Sequence, residues 1–364
     1  MALILDSMLH LTLLVGAIAL LYKLSRLGRR GDFLPPGPPT IPILGNAHQI
    51  PTTGFNARIH EWAEQYGPVF SFILGKSICI VLNDRQAVHE LIDQKGALFK
   101  DRVYDRQALE TFHGLNYALM DATPMWRAQR KLTVKMMSEK NLDGPMREIR
   151  DAENASLMHD LLEDPDRFAA HIGRSLASAA SIVVYGQRAK TLDDFWNTYT
   201  HAAHKAVTET LSPGSYIPTD QFPVLDLIPY SWNPATLKAR KARETLDGIW
   251  QEARQRVDKR RAEGDKRDSI LDNTLDGSLK SDITLSDDEL NHMCGTFIEG
   301  SALTTSITIQ TSILFLAKYP EYQDKAQQEL DGVCGDSRVP VWEDFDSLPY
   351  INCIAKEAQR IRPV

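Results

Sequence analysis

The sequence of 364 residues lacks several features that mark whole classes of proteins. It contains no G-x-G-x-x-G or Walker-type loop, no internal repeat and no low-complexity segment, which argues against the common nucleotide-binding folds. The formal net charge is -7 and the body of the chain has no basic block, so we expect no nucleic-acid binding. Its four cysteines are widely spaced, without a C-x-x-C pair or histidines at metal-ligand spacing. We therefore expect buried, reduced thiols and no metal site formed by protein side chains.

The N-terminal 27 residues carry the first positive signal. Residues 3–22 are apolar apart from a few polar side chains, and a helix of about 20 residues spans roughly 30 Å of hydrocarbon. A cleaved signal peptide with a cleavage site at residues 17–19 is the alternative, but the basic residues follow the apolar run instead of preceding it. The sequence predicts one transmembrane helix as a membrane anchor over residues 1–27, with the remaining chain in the cytosol.

A basic and proline-rich hinge over residues 28–40 follows the predicted anchor. It contains the string LPPGPP at 34–39, where fixed proline φ angles and missing amide donors rule out a helix. We expect a stiff, extended spacer there. Residues 69–74 and 78–82 then read as two strands joined by a short glycine turn, which predicts a β-hairpin.

From Pro124 onward the apolar spacing becomes helical, and Pro and Gly punctuate the segments. The longest predicted helices cover residues 145–162, 166–185, 232–263, 286–317 and 320–333. The sequence therefore predicts a mostly α chain with a small β sheet near its start. Residues 41–364 form one domain in this interpretation, and the mixed apolar loops at 101–121 and 212–234 would shape a substrate pocket.

The helix that begins near Pro124 carries Trp126 and Arg130, which are four residues apart and so share one helix face. Such a face can offer an indole N–H and a guanidinium to the carboxylates of a bound cofactor. A surface arginine beside a half-buried tryptophan is the alternative.

Two further patterns lie toward the C-terminus. Glu357 and Arg360 form the one E-x-x-R string in the chain, which by itself is an ordinary helical surface pair. Upstream, Ser286 and Glu289 have capping-box spacing and begin a helix that contains the string GTFIEGSALTTS at 295–306. Thr304 in this string could position a water for proton delivery, or its hydroxyl could simply bond to a carbonyl of the preceding turn.

The order of these features resembles the cytochrome P-450 family, and within it the microsomal-type fungal heme-thiolate monooxygenases of secondary metabolism, similar to the O-methylsterigmatocystin oxidoreductase group. The resemblance implies a cytochrome P-450 fold, present here as its N-terminal two thirds. It also implies heme, with Trp126 and Arg130 binding a propionate, and a catalytic role for Thr304. The Glu357–Arg360 pair would be buried and structural. Leu303 stands where the resemblance calls for an acid, so proton delivery would be unusual.

The resemblance further implies partners and a location. These are a small apolar organic substrate, molecular oxygen, NADPH-cytochrome P-450 reductase and the endoplasmic reticulum membrane, crossed once, with the catalytic domain in the cytosol. The iron-binding motif F-x-x-G-x-R-x-C-x-G is missing from the 364 residues, and Cys334 and Cys353 do not fit it. We therefore expect a truncated chain.

Two functional hypotheses follow, an oxidising enzyme whose iron-binding segment lies outside this sequence and a catalytically inactive, membrane-tethered protein. A helical membrane scaffold unrelated to the family is a third reading, which the order of the motifs disfavours.

Overall fold

The computed structural model describes residues 2–216, 218–222, 225, 228–279 and 282–364. Residues 217, 223, 224, 226 and 227, which belong to the predicted pocket loop 212–234, lie outside the described residues. The described chain is mostly helical, with one antiparallel two-stranded sheet, as the sequence predicts. The helices and strands are α1 Ala2–Arg26, α2 Phe55–Tyr66, β1 Val69–Leu74, β2 Ser77–Leu82, α3 Arg85–Val88, α4 Arg106–Phe112, α5 Pro124–Met136, α6 Glu139–Asp143, α7 Pro145–Glu163, α8 Phe168–Tyr185, α9 Phe195–Leu211, α10 Pro234–Ala262, α11 Ile270–Leu275, α12 Asp287–Lys318, α13 Pro320–Cys334 and α14 Pro349–Ile361.

The chain forms two compact units. The first contains the described residues up to 115 together with 119–123 and those of 206–245, and the second contains 116–118, 124–205 and the described residues from 246 onward. The predicted single domain over residues 41–364 is thus built from two units. Helices α9 and α10 each contribute residues to both.

The first unit is built around the hairpin. The strands pair from Val69 opposite Leu82 to Leu74 opposite Ser77, so the turn consists of residues 75 and 76. One face of β1 is covered by α2, where the Trp62 ring lies 6.3 Å from Phe70 and 5.7 Å from Phe72. Aromatic rings at these separations bury large apolar areas, and they form the core that holds the sheet to the helix.

The proline-rich segment lies along β1. The Ser71 amide donates to the Pro36 carbonyl at 2.8 Å, and Arg30 donates to the Ser71 hydroxyl at 2.7 Å and to its carbonyl at 2.6 Å. At Gly37 any β-carbon would overlap the Ser71 carbonyl oxygen, so only glycine allows the two backbones to come this close. Residues 35–40 are extended, as expected, after a turn at residues 31–34, but the segment is bonded to the sheet at Ser71 and is not a free spacer.

Asn46 completes this arrangement from the other end. Its side-chain amide donates to the Pro38 and Pro39 carbonyls at 3.2 and 3.0 Å, and its carbonyl oxygen accepts from the Ile73 amide at 2.8 Å. Asn46 is fully buried. A buried backbone carbonyl or amide needs a partner, and here one asparagine side chain serves carbonyls of the proline segment and an amide of β1.

The second unit has α12 at its centre. Helix α8 packs along α12 on one side and along α7 on the other. Ile172 and Tyr185 of α8 and Met293, Cys294 and Ile298 of α12 are almost completely buried. The predicted capping box at the start of α12 is confirmed, since the Ser286 amide donates to the Glu289 carboxylate at 2.7 Å and the Glu289 amide donates back to the Ser286 hydroxyl at 3.3 Å.

Helix α1 forms over the residues predicted for the anchor. By length and composition, however, α12 is the one helix among the described residues that could cross a membrane. Core helices of soluble proteins meet the same criterion, and α12 packs against α8 inside the second unit. The helix at the N-terminus is therefore confirmed, and its transmembrane role stays a prediction.

Candidate functional site

Trp126 and Arg130 lie on one face of α5, one turn apart. The Trp126 ring stacks on Tyr117 with centroids 6.1 Å apart and an interplanar angle of 15°. Nη1 of the exposed Arg130 lies 3.5 Å from the Tyr117 hydroxyl, at the long limit of a hydrogen bond. No ion pair with a carboxylate of the described residues holds this guanidinium, so it can receive an anion.

Tyr117 also connects this face to α12. Its ring also stacks on Phe297, with centroids 6.0 Å apart and an interplanar angle of 30°. Phe297 lies within the string 295–306 that the sequence singled out. Tyr117 could not be predicted from the sequence, because a lone tyrosine in an irregular loop has no spacing that marks it.

Gly295 fixes the packing at the start of this string. A β-carbon there would overlap the Trp250 indole, so the missing side chain lets the ring lie directly on the helix backbone. Trp250 also meets the His292 ring edge to face, with centroids 4.5 Å apart. Together these contacts fix how α12 is rotated about its own axis, and hence where the residues after Gly295 point.

Thr304 is exposed, and its hydroxyl donates to the Gly300 carbonyl at 2.9 Å. Thr305 donates in the same way to the Ser301 carbonyl at 3.1 Å. This is the bonding to the preceding turn that the sequence left open as an alternative. The hydroxyl can still accept a hydrogen bond from a water, because a donating oxygen keeps its lone pairs. A catalytic role for Thr304 stays a prediction.

Glu299 lies one turn before Leu303 on the same helix. Its Oε1 atom is shielded from solvent and has no hydrogen-bond partner among the described residues. Burial raises the pKa of this carboxyl to about 8, because the charged form would lose its hydration. Glu299 is therefore a neutral acid at neutral pH. The sequence identified it as part of the motif but gave no sign of its protonation state.

A buried polar cluster from α8, α9 and α12 lies in the same unit. The hydroxyls of Tyr185 and Tyr199 lie 2.9 Å apart, and the Trp196 ring packs against Tyr185 at 5.1 Å. Burial raises the pKa values of both tyrosines. The fully buried Cys294 thiol has its pKa raised to about 12, so it stays protonated and is a poor metal ligand.

The other three cysteines are also free. Cys334 is buried, as expected, but Cys79 is half-buried and Cys353 is exposed, so the expectation of uniformly buried thiols is wrong for these two. Within the described part of the chain no three His, Cys, Asp or Glu side chains come together as metal ligands.

The E-x-x-R pair forms on α14. Arg360 donates to both Glu357 oxygens at 2.7 Å, which lowers the pKa of the carboxyl. The side chains are 70% and 52% exposed, so the expected buried pair is corrected to a surface pair. The reason is that only Ala358 of α14 is buried, and no described segment covers the helix face that bears the pair.

Heme can be tested against these residues. Its carboxylates fit the face formed by Trp126 and Arg130, because a guanidinium with no carboxylate partner lies beside a half-buried indole. Among the described residues its iron finds no ligand of the required kind, since Cys294 is a buried thiol with a raised pKa and Cys79, Cys334 and Cys353 lie outside an F-x-x-G-x-R-x-C-x-G string. The described residues therefore offer a binding face for the heme carboxylates and no suitable ligand for the iron.

Comparison with known proteins agrees with this partial fit. Residues 35–364 match the family model for cytochrome P-450. The chain is 34% identical over 351 residues to the cytochrome P-450 monooxygenase AtE of Aspergillus terreus, with 95% of this chain and 65% of that protein aligned. It is 32% identical over 372 residues to MacC of Penicillium terrestre, covering 100% of this chain and 68% of the relative. For AcuD of Aspergillus aculeatus the identity is 32% over 351 residues, covering 96% and 66%. The chain thus spans about two thirds of the length of these relatives.

Proposed function

The chain belongs to the cytochrome P-450 family, and from this premise we propose that it supplies the carboxylate-binding part of a heme-dependent monooxygenase. The observation that carries the proposal is the paired face of Trp126 and Arg130, with an exposed guanidinium that makes no ion pair with a carboxylate in the described part of the chain. Heme, when bound, supplies the activation of molecular oxygen. The substrate would be a small apolar metabolite, as the resemblance to the fungal heme-thiolate monooxygenases implies, and the relatives named above are cytochrome P-450 monooxygenases of fungi.

The side chains of α5 would hold the cofactor by charge and shape. Arg130 presents a fork of N–H donors that matches a carboxylate, and Trp126 supplies a flat apolar wall beside it. Because the site lies at a partly exposed surface, the bond to Arg130 would orient the carboxylate and contribute a modest part of the affinity.

Proton delivery would rest on α12. The Thr304 hydroxyl, bonded to the Gly300 carbonyl, can hold a water at its free lone pairs. Leu303 cannot supply a proton to that water. A water chain or a polar group of the substrate would have to do so, and NADPH-cytochrome P-450 reductase would supply the electrons.

Helix α1 would anchor the protein in the endoplasmic reticulum membrane, with the catalytic part in the cytosol. Apolar side chains around α1 are more than half exposed, which is unfavourable in water and favourable in lipid. These residues are Met8, Leu11, Leu13, Leu14, Val15 and Ile18. The basic residues at its end, Lys23 and Arg26, favour the cytosolic side.

A catalytically inactive, membrane-tethered protein is the second candidate. It differs from the enzyme in one requirement, because only the enzyme needs an F-x-x-G-x-R-x-C-x-G string to bind the iron. Transcript sequencing separates the two candidates. A reading frame that continues past Val364 into such a string supports the enzyme, and a stop codon directly after Val364 supports the inactive protein.

The enzyme proposal is tested further on protein expressed from the complete transcript. Reduced protein under carbon monoxide should give the shifted Soret band of a thiolate-ligated heme. Arg130→Gln should lower the heme content of purified protein, whereas Arg127→Gln, at an exposed position of the same helix, should leave it unchanged. Equal heme content in both variants would contradict the assigned carboxylate contact.

A further inference from the structure

Tyr117 makes three contacts that no other described side chain combines. Its ring stacks on Trp126 and on Phe297, and its hydroxyl lies 3.5 Å from Nη1 of Arg130. The first and third contacts reach α5, and the second reaches α12. A single loop residue therefore links the two side chains assigned to the cofactor carboxylates to the helix that carries Thr304.

The backbone around Tyr117 is held as well. The Asn116 side-chain oxygen accepts from the Ala118 amide at 2.9 Å, which closes a tight turn around residue 117. Asn116 itself is buried. The ring of Tyr117 therefore projects from a fixed backbone. Because its position is fixed, stacking on it restricts the positions of the Trp126 and Phe297 rings.

This restriction matters most for Arg130. An exposed arginine samples many rotamers, and binding a carboxylate then costs the entropy of selecting one of them. A tyrosine hydroxyl beside Nη1 and a ring that holds Trp126 in place reduce the number of arrangements before any ligand arrives.

We propose that Tyr117 is a positioning residue, which fixes Trp126 and Arg130 against α12 and so sets the preference of this site for a porphyrin with free carboxylates. The inference rests on the proposed function, since it concerns the same carboxylate contact. It assigns to Tyr117 no direct contact with the porphyrin.

The test uses the full chain and two metal-free probes, protoporphyrin IX and its dimethyl ester, so that no iron ligand is needed. The measured quantity is the ratio of the two affinities, followed by porphyrin fluorescence. The wild-type chain should prefer the free acid, and Arg130→Gln should reduce this preference about tenfold, because a charged hydrogen-bond donor is lost. Tyr117→Leu should reduce it about three- to fivefold, and Tyr117→Phe, which keeps both stacks, about twofold or less.

Tyr319→Leu is the matched control. Tyr319 stacks on Phe315 near the end of α12, with centroids 6.4 Å apart, so the variant also removes one stacked tyrosine of the second unit. It should leave the ratio unchanged. The near-ultraviolet circular dichroism of the ligand-free chain gives a second measure, since Tyr117→Leu should change the Trp126 environment and Tyr117→Phe should largely preserve it.

The outcomes distinguish the carboxylate site at Arg130 from the positioning role of Tyr117. A wild-type chain that binds both porphyrins equally would overturn the carboxylate site and, with it, the role of Tyr117. A wild-type preference that Arg130→Gln removes and Tyr117→Leu leaves intact would overturn the positioning role alone. If Tyr117→Leu fails to fold, Tyr117→Phe and Phe297→Leu decide, because a positioning role requires the second to lower the preference more than the first.

Discussion

The proline-rich segment and the E-x-x-R helix differ in how their polar groups are satisfied. Arg30 and Asn46 bind the segment to β1 through several hydrogen bonds, and Asn46 is completely buried. On α14, Glu357 and Arg360 bind each other and stay in solvent. Both regions carry strings that resemble the family, so a motif match alone does not reveal whether its polar groups carry the stability of the fold.

The difference has a physical origin. A buried polar atom that loses its partner cannot form a hydrogen bond with water instead. The full cost of its lost hydration therefore lowers the free energy of unfolding. An exposed ion pair exchanges its partner for water at almost no cost. Four substitutions, taken from the largest expected effect to the smallest, can break or sharpen this comparison.

Asn46→Ala should have the largest effect. It leaves the Ile73 amide and the Pro38 carbonyl unpaired in the interior, whereas the exposed Pro39 carbonyl keeps its bond from Gln49. The variant should lower the free energy of unfolding by about 2–4 kcal/mol. Chemical denaturation of the full chain measures this. The control is Gln49→Ala, whose side chain donates to the Pro39 carbonyl from a less buried position. Equal losses in both variants would show that burial is not the cause.

Arg30→Ala should follow, with a loss of about 1–3 kcal/mol, since charged hydrogen bonds are strong but this side chain is only half-buried. It should also expose residues 34–39 to proteolysis. Arg29→Ala, at the exposed neighbour, should change neither quantity. Unchanged protease resistance in Arg30→Ala would mean that the prolines and Asn46 hold the segment alone.

Glu299→Gln tests a third case, a buried group without a partner. The pKa of Glu299 in the folded chain, about 8, lies above its value in the unfolded chain. As pH rises, the unfolded chain therefore releases this proton first. The free energy of unfolding should fall from about pH 5 to pH 8 and then level off. The variant should remove this decline and be about 1–2 kcal/mol more stable at pH 8, since the residue as a whole is only half-buried. Thermal unfolding of both proteins across this range measures the effect, and parallel curves would contradict it.

Glu357→Gln should have the smallest effect, a change in melting temperature of about 1 °C or less. Here the pH dependence has the opposite sign, because Arg360 lowers the pKa of Glu357, and the small contribution is lost as pH falls through the folded pKa. Arg360→Gln serves as the paired variant. A large drop in melting temperature in either variant would show that the pair is covered in solution. The exposed pair would then no longer differ from the buried Asn46.

Much of the secondary structure could be predicted, because proline and capping residues mark where helices begin. Pro145 starts α7 and Ser286 caps α12, and both helices end within one residue of the predicted position. The hairpin register follows from a short glycine turn between two apolar runs.

The candidate site was less predictable. Helical spacing was enough to place Trp126 and Arg130 on one face, but the Tyr117 stack joins residues that no short-range pattern connects. The exposure of Glu357 and the neutral state of Glu299 depend on which segments cover them, and coverage is a property of the packed chain. The bonds from Arg30 to Ser71 bridge 41 positions and escape a search for local motifs for the same reason.

The bonds at the base of α1 have a mechanical consequence. The Ile43 amide donates to the Leu27 carbonyl at 2.7 Å, one residue past the end of the helix, and Arg30 ties the next turn to β1. The segment after α1 is thus held at two points, at Leu27 by Ile43 and at Arg30 by Ser71 of β1. A change in the tilt of α1 relative to the sheet would strain both contacts. A force on α1 is transmitted to the hairpin within a few residues. The helix is therefore expected to move together with the sheet and not independently of it.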